Sequence, residues 1–197
     1  MEDIFLSQNL SEINEAIWKM LEQATKSHRA PFHYGTIATI HHLIPELRTV
    51  ILRRVMPATY QLFFHTDIRS QKIEQIKENP LVSWLFYDEK SKMQLRLYAK
   101  AVIHTKDVVA DYGWGLSRLA SKLTYTTSSP SGTELDAPEL INLNIKEADK
   151  ALLETARNHF CVVETIVNKM DWVFLHVSGN RRAIFDYENG FKSWVQV

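Results

Sequence analysis

The chain has 197 residues, 23 lysines and arginines against 23 aspartates and glutamates, and a formal net charge of zero. Hydrophobic residues make up 45% and charged residues 23%, a globular composition that excludes a disordered chain and supplies one sizeable core, so residues 1–197 are expected to form one domain. With no overall field to attract nucleic acid or an anionic membrane, neither is an expected partner, and any anion site has to be local.

The first expected element is a helix over about 9–27. Ile13, Ala16, Ile17, Met20, Leu21 and Ala24 recur at helical spacing, and Asn9 with Glu12 forms a cap. The period then changes to two. YGTIATIH, TVILRRV and YQLFFHT read as strands separated by HLIPEL and MPA. A short helix follows from Ser70 to Glu78, ended by Asn79-Pro80. LVSWLFY and the alternating MQLRLYAKAVI are the next strands, and Asp107 opens a helix to about Leu119. The Ser-, Thr- and Pro-rich segment 124–140 reads as a long loop of the kind that carries function. A helix over IKEADKALLETARNHF and strands FCVVETIV, DWVFLHVS, RRAIFDY and FKSWVQV complete the chain, with Asn189-Gly190 as a hairpin turn. The sum is a mainly β fold, an antiparallel barrel with flanking helices.

Cys161 stands alone, so no internal disulfide can form; its apolar run makes it a core thiol and points to a reducing compartment. The acidic N-terminus lacks a signal-peptide pattern, and no run reaches about 18 apolar residues, so a cytoplasmic protein without a membrane anchor is expected. His41, His42 and His65 lack metal-binding spacing, and no metal site is expected. No GxSxG elbow or Gly-rich phosphate loop is present, and no catalytic residue can be named.

One constellation points to a phosphorylated ligand. Ser70 and Lys72 stand at the start of a short helix, where free backbone N–H groups and the helix dipole attract phosphate. Thr66 ends the preceding strand, and Arg48 opens a neighbouring one with a guanidinium suited to a bidentate grip. A solvated helix cap with surface cations explains the same residues equally well.

The order of these pieces carries a resemblance. Arg48-Thr49-Val50-Ile51-Leu52-Arg53 resembles the R-x-V-L-L-K strand of the pyridoxamine 5′-phosphate oxidases. Phe64-His65-Thr66 with Ser70-Gln71-Lys72 resembles their F-Y-T-N-x-x-S-R-K segment. Asn79-Pro80 and Met93-Gln94 fit their next landmarks. The match runs from about Gly35 to Thr105 and looks closest to the shorter, Alr4036-like branch of that FMN-binding family. The resemblance implies an antiparallel split β-barrel with peripheral helices, a homodimer with FMN at its interface, and oxidation of a small substrate such as a B6 vitamer phosphate. Arg48 and Lys72 would grip the FMN phosphate, helped by Thr66 and Gln71, and the backbone of Val50, Ile51, Leu52 and Arg53 would run along the ring, with Thr49, His65 and Ser70 in the same cofactor site. Gln94 would reach in from the partner subunit, and Thr127, Ser128 and Arg182 would complete the cofactor site. Arg53, Tyr112, Arg118 and Ser121 would face the substrate. His65 stands in place of tyrosine, Gln71 of arginine, Thr127 of glutamine, and Leu175 about where the family has tryptophan. The alternative reading is a non-catalytic flavin- or haem-binding module of the same fold.

Overall fold

The computed structural model of the chain describes residues 2–141, 143 and 148–197, with the backbone alone for Glu2 and Asp3. Helix α1 (Leu10–Ala24) forms as expected. The Asn9 side chain accepts the Ser11 N–H, and Ile13, Ile17, Trp18 and Leu21 bury one face. Strands β1 (Tyr34–His41) and β2 (Ile44–Ile51) make a hairpin in register from Tyr34↔Ile51 to His41↔Ile44.

Two expectations about this region are corrected. The HLIPEL separator is mostly strand, because His42 and Leu43 both take positive φ (46° and 68°) and close the hairpin in two residues. No glycine announced this turn, and Pro45 is tolerated because β2 lies at the end of the sheet. The expected strand TVILRRV is cut at Leu52-Arg53. There the chain leaves β1, donates the Leu52 N–H to His33 O (2.9 Å) and the Arg53 N–H to Phe63 O (2.9 Å), and continues as β3 (Arg54–Met56) on β4 (Gln61–Asp67). Leu52 is fully buried at this corner.

Helix α2 (Gln71–Glu78), β5 (Leu81–Asp88) and β6 (Met93–His104) match the sequence pattern. Helix α3 (Val108–Leu116) starts at Asp107, whose carboxylate accepts the Val109 and Ala110 N–H groups. It ends short of the expected Leu119; Ser117 turns extended and the short α4 (Leu119–Leu123) follows. Segment 124–141 holds no helix or strand. Helix α5 (Lys150–His159) leads into β7 (Phe160–Phe174), then β8 (Arg181–Asp186) and β9 (Phe191–Trp194). The start of the expected helix, at 145–147, lies outside the described residues. FCVVETIV and DWVFLHVS are not two strands: β7 runs through both. Its register against β6 slips between Tyr98↔Lys169 and Ala99↔Val167, leaving Asn168 as a bulge. A bulge resets the alternation, which is why the pattern reads as two strands.

The sheet runs β2-β1-β5-β6-β7-β4-β3, with β8 on β7 and β9 on β8. Strand β7 spans both halves. Away from β6, its residues 160–166 pair with β4 and its residues 169–174 with β8. The sheet divides there and does not close, which makes it a split barrel. The interior is packed by aromatic side chains. Trp84 and Phe86 stack at 5.3 Å with rings 6° apart, and a Cβ at Gly35 would lie 2.4 Å from Phe86, so only glycine fits there. Helix α1 is locked to the barrel through Trp18, whose Nε1 donates to Tyr187 Oη (2.8 Å), which donates in turn to Asn14 (2.7 Å).

Candidate functional site

The corner at Leu52-Arg53, the end of β4 and the first turn of α2 enclose a cleft of about 810 Å³. Arg48, Thr49, Val50, Ile51, Arg53, His65, Thr66, Ser70, Gln71 and Lys72 all line it. Strand pairing explains why. Among the described residues strand β2 pairs only with β1, so its other edge is open along the cleft, while β4 delivers His65 and Thr66 from the opposite wall. Leu52 is the exception in its run, since it points into the core.

The cleft gathers positive charge. Lys72 Nζ donates to Thr66 Oγ1 at 3.0 Å. Its ammonium is held below the ordinary lysine range, first by burial and then by the positive charge of Arg48. Arg48 is lowered as well, by burial, against the opposing pull of Glu46. The Gln71 and Lys72 N–H groups, at the start of α2, donate to no acceptor among the described residues. Two partly desolvated cations and two free amides therefore face one space, an arrangement that a phosphate would relieve. Ser70 departs from its expected part: its hydroxyl donates to Asp67 O (2.7 Å) rather than capping α2.

Arg48 is held by residues that the sequence did not flag. Its guanidinium donates to Thr39 Oγ1, to Glu46 O (2.9 Å) and to Gln75 Oε1 (3.1 Å), and pairs with the Glu46 carboxylate (3.2 Å). Thr39 and Gln75 are buried and far apart in sequence, so no local pattern could mark them.

A second cavity of about 540 Å³ adjoins the first and shares Ile51, Arg53, His65 and Ser121 with it. The expected substrate residues Arg53, Tyr112, Arg118 and Ser121 all line it, joined by Lys26, His28 and Arg54. Arg54 lies over the rings of Tyr112 (4.9 Å) and Phe63 (5.2 Å). No aspartate or glutamate is among the lining residues, so the wall is cationic over an apolar floor of Phe63, Leu116 and Val162.

The remaining expected residues do not line this chain's cleft. Thr127 and Ser128 are tied down from the turn after β4: Arg69 Nη1 donates to Thr127 O (3.1 Å) and Ser128 O (3.3 Å), while Arg69 also pairs with Asp67 (2.7 Å). From the same loop Ser131 and Gly132 reach the cleft instead. Gln94 and Arg182 lie on the outer face of the sheet, in one row across three strands: Gln94↔Val173 and Val173↔Arg182. Arg182 pairs with Asp171 (2.9 Å), which Arg96 also contacts. Leu175 follows β7, half exposed, and lines neither cavity. Cys161 is buried behind Thr66, and burial pushes its thiol up to about 12.

The family model described as pyridoxamine 5′-phosphate oxidase, FMN-binding domain, matches residues 15–105, the part of the chain that carries α1 and β1 through β6. Over that stretch the chain is similar to the FMN-binding domain of the pyridoxamine 5′-phosphate oxidases, and its fold is their split barrel. A relative, pyridoxine/pyridoxamine 5′-phosphate oxidase 2 of Arabidopsis thaliana, is 27% identical over 197 residues, covering 91% of this chain and 94% of its own. A pyridoxamine 5′-phosphate oxidase-related FMN-binding protein of Nostoc punctiforme superposes with a TM-score of 0.71 at 19% identity, covering 96% of this chain and all of the other. PhzG of Burkholderia lata, solved with tetrahydrophenazine-1-carboxylic acid, gives 0.65 at 14% identity over 93% of this chain and 89% of its own. These two structural likenesses establish the fold. No helix among the described residues is long and apolar enough to cross a membrane.

Proposed function

We propose that the chain, acting as one domain, binds FMN in the first cleft and is an FMN-dependent oxidoreductase for a small anionic substrate, a B6 vitamer phosphate being the first to test. The observation that carries this reading is that Arg48 and Lys72 line one cleft, beside two amides of α2 that have no acceptor among the described residues. Those groups would hold the phosphate, and the open edge of β2 from Val50 to Arg53 would lie along the ring. FMN would supply a two-electron acceptor that dioxygen reoxidises. The adjoining cationic cavity would orient the substrate's anionic group through Arg53 and Arg118, with Tyr112 against its apolar body.

The active form in this reading is a homodimer. Gln94 and Arg182 share the outer sheet face with Leu81, Leu85, Tyr87 and Tyr98, all at least 38% exposed. A polar row flanked by apolar side chains suits contact with a second copy, and it would bring Gln94 to the partner's cofactor. The test is an absorption spectrum of freshly purified protein, followed by FMN titration and assay with pyridoxamine 5′-phosphate under dioxygen. Flavin bands and release of pyridoxal phosphate are expected. A colourless protein that takes up no FMN refutes the cofactor; a yellow protein inert toward the vitamer refutes the substrate.

A further inference from the structure

The two cavities meet at a wall made of Ile51, Arg53, His65 and Ser121. Of these four, only an imidazole can gain or lose a proton in the physiological range. Its environment is specific. His65 Nδ1 lies 3.4 Å from Ser117 Oγ, and that hydroxyl already donates to Gly113 O (2.9 Å), so it has only lone pairs to offer. The proton therefore sits on Nδ1 and leaves Nε2 as a bare acceptor. A side chain at 113 would come within 3.0 Å of Nε2, and glycine leaves it uncovered.

Besides Arg53 and Arg118, the second cavity sets Lys26, Arg54 and the imidazoles of His28 and His33 in the same lining as His65. Arg53 is exposed and makes no ion pair among the described residues. Arg118 lines the second cavity, and Tyr125 lines the first. Strand β7 sets Phe160 and Val162 beside the ring, while Asp111 of α3 is engaged by Arg157 (2.6 Å). The acidic groups on the same sheet face are engaged elsewhere: Asp67 of β4 pairs with Arg69 (2.7 Å), and Glu164 of β7 with His104 (2.8 Å) and Gln61. Burial first, and Arg53 second, hold it down at about 4, so it is neutral in the free protein.

We propose that His65 is the proton acceptor of this shared wall: when an anionic ligand pairs with Arg53 in the second cavity, the imidazole takes one proton from solvent and helps hold the anion. The proposal rests on the anionic-ligand reading of that cavity, although it does not need FMN. The anion cancels the charge of Arg53 and adds its own attraction, so proton affinity rises. By reciprocity, protonation of His65 tightens anion binding by the same factor.

The test is NMR of ¹³C-labelled histidine in the full chain at pH 5, in sodium chloride and in sodium sulfate of equal ionic strength. Sulfate stays dianionic at this pH. In chloride about a tenth of His65 should be protonated; sulfate should raise this to about half, a shift of about one pKa unit. Arg53→Gln should raise the protonated fraction in chloride and abolish the response to sulfate. Lys72→Met, which alters only the first cleft, should keep the response. An imidazole indifferent to both sulfate and Arg53→Gln overturns the proposal, and a response lost in Lys72→Met overturns its assignment to the second cavity. A normal response in a protein that binds no FMN leaves this inference standing while the cofactor reading falls.

Discussion

Lys72→Met separates the part this residue plays in the fold from its part in the cleft. The substitution keeps a chain of similar length and removes the charge. Two effects on stability oppose each other. The protein loses the 3.0 Å donation from Lys72 Nζ to Thr66 Oγ1, a contact of about 1 kcal/mol, but Thr66 retains Ser70 Oγ at 3.5 Å. It also loses a partly buried charge that Arg48 repels, which offsets much of that cost. The net change should stay within about 1 kcal/mol, or about 2–4 °C in melting temperature for a chain of this size. FMN binding has no such offset. A charge-assisted hydrogen bond to the phosphate contributes about 1.5–3 kcal/mol, so the dissociation constant should rise about 10- to 150-fold. Flavin fluorescence titration reads the affinity, and a thermal melt of the flavin-free protein reads the stability. A variant that melts normally and binds FMN within about threefold of the wild type would show that the phosphate lies elsewhere.

Gly35→Ala forces a Cβ to within 2.4 Å of Phe86 and 2.8 Å of Trp84, both fully buried. A cost of about 2 kcal/mol is expected, lowering the melting temperature by about 4–8 °C. Arg69→Ala cuts the loop that carries Ser131 and Gly132 from its anchor on Thr127 and Ser128. Protease cleavage within 124–140 and FMN dissociation should both accelerate about tenfold, and unchanged rates would mean that the loop is held by other contacts. The depressed His65 also makes stability pH-dependent. Its pKa is about 4 when folded against 6.5 when free, so the unfolded chain binds the proton more tightly and stability falls as the pH drops from 7 toward 4. Between pH 7 and 5 the loss is about 1–2 kcal/mol, and His65→Gln should remove that part of the slope in urea melts at the two pH values.

What the sequence alone determined was local. Period-two alternation marked β5 and β6, the Ser70 to Pro80 pattern marked α2, and the ordered Arg48, Thr66 and Lys72 set marked the cleft; each signal lies within one element or at its end. Tertiary structure decided whatever depended on which strand pairs with which. The break at Leu52-Arg53 exists because the chain leaves β1 for β4 there, and the Asn168 bulge joins two apparent strands into β7. The grip of Thr39 and Gln75 on Arg48 spans 9 and 27 residues of chain, and His65 meets Ser117 across 52. Such partners leave no periodic trace, because side chains distant in sequence become neighbours only when long-range pairing brings their backbones together.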